Sequence, residues 1–443
     1  MDISRKEFIK LNALVAAGLP FIKLSRLNAS ADEIESLYGG FTSPPNAAKP
    51  FVRWWWNGNK VTKDEIVREL DLMKEAGIGG VEINSIKFPS NADAMGIPSH
   101  EWLSPEWIEM VETTVSAAEK RGITCDIIVG SGWPFGGRFL DKNEQTQLMT
   151  FGTKKLQGPQ TKQFSRSDLL DSIELELHSK NEDLIKELVF LRLAPARMEK
   201  FTMGEDLSAK LNGDNITIEV PNGEYVLYYM VKFTGFQAVI NGAPGADGPV
   251  LNHYNKDAVE KYLGRMSDNM ESQMEGLGES FRAMFCDSLE LEGANWTDDM
   301  LEEFERRRGY SLYPYLPFVL FKTGHMGNPV DDSGGSELTQ TVQETIDSVR
   351  YDFYKTRLEL FNERFIQTFN DWCHEHNVES RVQAYGRGFH PIESSMEIDI
   401  PECETWLRST IGGIISKKLV CREEPILWSI NLFPQVQDWL GIN

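Results

Sequence analysis

Two short segments carry carboxylates in positions where they could do acid–base work. Asp287-Ser288-Leu289-Glu290-Leu291-Glu292 follows the mostly apolar stretch Phe281 to Cys286, and Pro401-Glu402-Cys403-Glu404-Thr405-Trp406 follows a weaker one, Met396 to Ile400. A carboxyl at the end of a buried strand is partly desolvated, which raises its proton affinity and suits a general acid. More than a hundred residues separate Glu290 from Glu404, so the two can come from different strands and face one substrate. Hydrolysis of a glycosidic bond asks for such a pair, with an aromatic surface against which the sugar stacks. Each segment taken alone also reads as an ordinary solvated acidic loop or turn.

Aromatic and amide residues accompany the carboxylates. Trp54-Trp55-Trp56-Asn57-Gly58 places three indoles on one strand. Alternation puts Trp54 and Trp56 on one face and Trp55 on the other. One set can reach a binding site while the other packs under helices; packing of all three in the core is the alternative. Trp56 is taken as the sugar-facing ring, with Asn57 able both to donate and to accept hydrogen bonds. Trp133, in the Gly-rich loop Gly130 to Gly137, can serve as a second platform. Asn84, Asp287, Trp296, Tyr385, Glu402 and Trp406 complete the candidate substrate contacts.

Other chemistries lack their patterns. His374 and His376 are two apart and do not face one another on a helix. Ser131 lies in Gly-Ser-Gly, not in a G-x-S-x-G elbow. No G-x-G-x-x-G follows the first strand and no phosphate-cradling loop with its Lys occurs. The five cysteines include no C-x-x-C pair and the seven histidines no zinc spacing, so scattered buried thiols are expected.

These residues need a scaffold, and the chain spells one out. Phe51–Trp56 reads as a strand. Thr62 and Glu65 form a capping box for a helix with Ile66, Leu70 and Met73 on one face. Val81–Asn84 is a second strand, Ser104-Pro105 opens a second helix, and Ile123–Val129 is a third strand. Residues 148–235 change to period two, with Ile173, Leu175 and Leu177 in one set and Ile216, Ile218 and Val220 in another. Pro221-Asn222-Gly223-Glu224 reads as a hairpin turn. The strand–helix rhythm then resumes, with helices near 255–275 and 342–373 and a strand over 379–384. Repeated strand–helix units point to a parallel sheet. Asn57, Asn84, Trp133, Glu290 and Tyr385 fall at the carboxyl ends of strands, where a (β/α)₈ barrel keeps its site. The expected fold is therefore an α/β, TIM-barrel-like domain with a β-rich insertion. Only six or seven strands are visible, fewer than the eight of a closed barrel.

The expected organisation is a signal peptide over 1–31, a first barrel part over 32–147, the insertion over 148–235, and the continuing barrel over 236–443. Arg5, Lys6 and Lys10, the apolar run Leu11–Ile22 and Ala29-Ser30-Ala31 form the three parts of an export signal, by the general or a twin-arginine-like route. This predicts a periplasmic or extracellular protein. No other stretch is apolar enough to cross a bilayer. The net charge of −22 over 443 residues disfavours nucleic acid as a partner and leaves neutral glycans unpenalised.

At the residues above, the chain resembles glycoside hydrolase family 106, the α-L-rhamnosidases. The resemblance runs through Trp54-Trp55-Trp56-Asn57-Gly58, Gly79-Gly80-Val81-Glu82, Gly132-Trp133-Pro134-Phe135-Gly136-Gly137, Asp287-Ser288-Leu289-Glu290, Asn295-Trp296-Thr297, Arg307-Arg308-Gly309-Tyr310 and Pro401-Glu402-Cys403-Glu404-Thr405-Trp406. It implies a catalytic barrel that removes terminal α-L-rhamnose from plant-type polysaccharides or glycans with inversion. Glu290 would be the general acid and Glu404 the general base. It also implies calcium near the site in some members. The second cluster departs from the family's P-x-G-E-F-W, which makes Glu402 a rival base. The likeness fades after Trp406, which predicts a C-terminally truncated member. The alternatives are an inactive fragment, a non-catalytic carbohydrate-binding protein, or a retaining glycosidase with its carboxyls ~5–5.5 Å apart.

Overall fold

The computed structural model describes residues 39–89, 96–330, 334–387 and 390–403. The expected signal peptide, Glu404 and Trp406 lie outside the described residues.

The first half of the scaffold follows from its local signals. Strand β1 (Phe51–Asn57) leads to helix α1 (Lys63–Glu75), whose first turn is capped by the Thr62 hydroxyl accepting from the Glu65 amide. Ile66 and Leu70 are the buried face of α1. Strand β2 (Gly80–Ile86) is followed by α2 (Pro105–Glu119), which Ser104 caps and whose inner face is Trp107, Ile108, Val111 and Ala118. Strand β3 (Thr124–Ile128) closes this part.

Four antiparallel strands then intervene: β4 (Gln147–Ser165), β5 (Ile185–Pro195), β6 (Glu205–Asp206) and β7 (Asn215–Thr234), in the spatial order β4-β7-β5-β6. Two expectations fail here. Ile173, Leu175 and Leu177 lie in irregular chain and are half-buried against the core. Pro221-Asn222-Gly223 does not turn a hairpin. Strand β7 continues through it and carries the extra residue of a bulge: Pro221 and Asn222 lie opposite the single Pro159 of β4, where the register shifts between Gly158 and Gln160. A Cβ on Gly158 would lie 1.8 Å from the Pro221 carbonyl oxygen, so glycine lets the two chains cross there.

The second half contains α3 (Lys256–Glu271), β8 (Ala283–Cys286), the short β9 (Leu289–Glu290) and α4 (Met300–Arg308). It continues with α5 (Gln340–Phe361), a π-turn over Asn362–Ile366, α6 (Gln367–Glu375), β10 (Glu379–Val382), β11 (Gly386–Arg387) and β12 (Ile400–Pro401). The main sheet is six-stranded, with the order β1-β2-β3-β8-β10-β12, and every pairing is parallel. The strands lie side by side in chain order with no reversal. The fold is thus mixed α/β with a parallel sheet and an antiparallel one. The pairings among the described residues do not close a barrel: β12 has no hydrogen-bonded partner beyond β10.

Asn295 and Trp296 are among the residues that pin the antiparallel sheet to the parallel half. The Asn295 side chain accepts from the Met149 amide at 2.7 Å and donates to the Met149 carbonyl at 2.8 Å. The Trp296 amide donates to the Gln147 carbonyl at 3.3 Å.

Candidate active site

Alternation along β1 decides which tryptophan faces what. Trp54 and Trp56 turn toward the helices and are buried, and Trp54 Nε1 donates to Glu69 of α1 at 2.6 Å. Arg53, Trp55 and Asn57 share the opposite face, where Trp55 is 39% exposed. The expectation that Trp56 faces the sugar is therefore corrected: at 1% exposure it is core, and Trp55 is the ring that opens outward. Trp296 is corrected likewise, being 5% exposed and packed against Phe353 of α5.

The strand register sets Arg53 opposite Glu82, Trp55 opposite Asn84, and Glu82 opposite Asp126. These residues meet inside the sheet with groups from β8, β10 and β12. Arg53 contacts Glu82 at 2.9 Å and Asp287 at 3.1 Å. Arg381 contacts Glu82 at 2.9 Å and Asp126 at 3.0 Å, and also pairs with Glu402. Both guanidinium groups lie over the Phe285 ring, 4.8 Å and 4.7 Å from its centre. Arg282 takes Asp126 from its far side. Asn84 is fully buried; its amide donates to Glu82 at 2.8 Å, while its own oxygen meets no hydrogen-bond partner among the described residues. Burial pushes the Glu82 carboxyl up to about 7, against the pull of Arg53 and Arg381.

A hydrogen-bond chain continues toward the carboxyl ends of the strands. The Asp287 carboxylate accepts from the Ser288 amide at 2.8 Å. The Ser288 hydroxyl lies 3.1 Å from Gln383 Oε1 and 2.7 Å from the Tyr385 hydroxyl. Gln383 Nε2 donates to Glu402 at 3.1 Å. Asp287, Tyr385 and Glu402 are thus brought together, although they come from three separate segments.

Glu290 is half-buried at the end of β9, which pairs in parallel with β11. Gly386, at φ 144°, permits that pairing, because a Cβ there would lie 2.1 Å from the Leu289 carbonyl oxygen. Gln237 Nε2 donates to the Glu290 carbonyl at 2.6 Å. Glu292, the third carboxylate of the cluster, is buried and accepts from the His178 amide at 3.0 and 3.2 Å. It braces the segment at 178 and so is not a free acid. Trp133 is partly exposed and its backbone ladders with Ile240. Ile240 is part of the wall of a cleft of about 590 Å³ that also includes Lys87, Phe88, His178 and Asn241. Asn57 is exposed on the Trp55 face.

The resemblance implies calcium in some members. Among the described residues no group of three or more Asp, Glu, His or Cys side chains converges as a metal site requires; the carboxylates here are taken by arginines. Cys125, Cys286 and Cys373 are buried free thiols, whereas Cys403 is exposed.

The array's arginines, Glu82, Asp126 and Gln383 were not among the sequence-derived candidates. Their signal was present: Glu82 and Asp126 are charged residues inside otherwise apolar strands that are covered on both faces, and such residues are seldom buried unless paired.

The parallel sheet thus gathers carboxylates, amides and an open indole. The chain belongs to glycoside hydrolase family 106, alpha-L-rhamnosidase, which it matches over residues 42–167 and 200–423. It is similar to a protein of Formosa agariphila provisionally named a beta-glucuronidase, at 24% identity over 421 residues, covering 88% of this chain and 34% of that protein. Its fold resembles that of a rhamnosidase from Novosphingobium sp. PP1Y, with a TM-score of 0.56 and 17% identity, over 84% of this chain and 50% of the other. The chain thus spans between a third and a half of the length of these relatives. No helix among the described residues is long and apolar enough to cross a membrane.

Proposed function

We propose that this chain is an inverting α-L-rhamnosidase that removes terminal rhamnose from plant-type polysaccharides or glycans outside the cytoplasm. Family membership supports the substrate class. The observation that carries the reading is the chain of contacts Asp287–Ser288–Gln383–Glu402, which draws the two carboxylate segments to one end of one sheet.

Glu290 is the general acid in this reading. Its backbone is held on both sides, by β11 and by Gln237, so its carboxyl can meet the glycosidic oxygen without searching for it. Glu404 is the general base. Its rival Glu402 already has one oxygen on Arg381 and the other on Gln383, which leaves it poorly placed to take a proton from water. Inversion requires ~6.5–9.5 Å between the acid and the base, room for the attacking water. Trp55 supplies the stacking surface, and Asn57 and Tyr385 supply hydroxyl contacts. The six parallel strands are read as the consecutive first strands of a barrel, with 148–235 as its insertion and 1–31 as an export signal.

The test offers purified chain an aryl α-L-rhamnoside and an aryl β-D-glucuronide. Release of rhamnose, first seen by NMR as the inverted anomer, is the expected result. Cleavage of the glucuronide alone would replace this reading with the activity named for the Formosa relative. The retained anomer would make the enzyme a retaining one. Sugar binding without cleavage of either compound would favour a non-catalytic carbohydrate-binding role.

A further inference from the structure

The interior array of the parallel sheet concentrates charge from the strands and their ends. Facing Glu82 and its neighbours are Arg53 from β1, Asp126 from β3, Arg282 and Asp287 from either end of β8, Arg381 from β10, and Glu402 beyond β12. Among the described residues, four carboxylates meet three guanidinium groups here. Glu82 and Asp126 are both completely buried and each is held by two of the three arginines, but Glu82 alone is held by both Arg53 and Arg381. Each of those arginines reaches onward to a carboxylate nearer the strand ends: Arg53 to Asp287, and Arg381 to Glu402. Asp287 is three residues before the proposed acid, and Glu402 two residues before the proposed base.

We infer that Glu82 is a positioning residue for the hydrolytic reaction: by holding Arg53 and Arg381 it sets the placement of both carboxylate segments at once, from beneath the site. The inference rests on the glycosidase reading of that site. Its physical basis is that a buried carboxylate shared by two cations fixes both of them, and that removing it leaves two guanidinium groups to rearrange among the remaining acids. Where Glu82 is ionised, neutralising it also removes one negative charge from the interior array. A less negative surrounding lets a carboxylic acid lose its proton at lower pH.

The experiment compares wild type, Glu82→Gln and Glu82→Asp in the full chain. It reads kcat and KM on the aryl rhamnoside across pH, and crystal structures of the same proteins. For Glu82→Gln the expected result is a fall in kcat of about tenfold to a hundredfold with KM within about threefold. The basic limb of the kcat profile should move down by about half a unit or more. In the crystal, Arg53 or Arg381 should leave its place and Asp287 or Glu402 should shift with it. Glu82→Asp keeps the charge, so its basic limb should stay while kcat falls less. An unmoved basic limb together with unmoved Asp287 and Glu402 in Glu82→Gln would overturn the inference. If wild type cleaves no glycoside, the function reading has failed and the crystal comparison alone decides this one. If Glu82→Gln does not fold, the Glu82→Asp crystal structure and rate decide it: wild-type placement of Arg53 and Arg381 with wild-type kcat would be against it.

Discussion

The two sheets of this molecule bury different things. In the antiparallel sheet the alternation is strict at the start of β7, where Ile216, Ile218 and Val220 are buried and their neighbours exposed, and its centre is filled by Leu227, Met230 and Val231. In the parallel sheet, Glu82, Asn84 and Asp126 are as deeply buried as any core leucine, and arginines from two other strands reach in to meet them. Burying charge costs several kcal/mol unless it is paired, and replacing such pairs with apolar side chains is often no worse for stability. The antiparallel sheet has the composition expected of a structure selected for packing. The parallel one carries a polar interior that packing alone does not require.

Four experiments test that contrast. The largest effect should come from Glu290→Gln. In the proposed role it lowers kcat by about 10²–10⁴-fold and leaves the melting temperature near wild type; near-normal turnover would remove Glu290 from that role. Next, Leu227→Ala in β7 should cost about 2–5 kcal/mol in a denaturant melt, and Trp56→Ala about 3–5 kcal/mol, while the folded fraction of Leu227→Ala keeps its turnover. A loss of kcat per folded molecule in Leu227→Ala would give the antiparallel sheet a part in the chemistry.

The third experiment is a pH titration of stability. His253 is buried among Phe135, Phe361 and Phe365, and burial lowers its pKa from 6.5 to about 4. The folded chain then binds fewer protons than the unfolded one between about 4 and 6.5, so stability falls as pH drops through that window, by about 3 kcal/mol at its lower end. Glu82 has the opposite sign: its raised pKa costs stability as pH rises from 4.5 to about 7. Melting His253→Leu across this range should remove the acid-side loss; an unchanged curve would mean that His253 is not its source. The smallest effect belongs to Trp55→Ala, which should raise KM about fivefold, near 1 kcal/mol, with stability unchanged. Comparison with Trp56→Ala separates the open face of β1 from the packed one.

Particular residues show how far the sequence could be read. Both carboxylate segments were legible, because acidic clusters directly after apolar runs stand out in any register. Asp287, Tyr385 and Glu402 do meet through one hydrogen-bond chain. Alternation divided the three tryptophans correctly into two sets, yet it could not say which set faces the helices, since a strand's two faces are equivalent until something packs on one. Asn-Gly at 222–223 predicts a turn on local grounds, but pairing of Gly223 with Gly158 across the sheet makes it part of a bulged ladder. The array itself was missed because its members are single charges scattered from Arg53 to Glu402, each unremarkable in its own strand.

The sequence by itself determined the local elements, the capping of α1 and α2, the order of the strand–helix units and the family. These depend on neighbours within a few residues, or on motifs in series. Tertiary structure alone decided that Trp55 and not Trp56 opens outward, that Trp296 is core, and that Arg53, Glu82 and Arg381 share one buried site. Those outcomes depend on register between strands up to hundreds of residues apart, and on the energetic demand that a charge removed from water find its partner wherever the fold brings one.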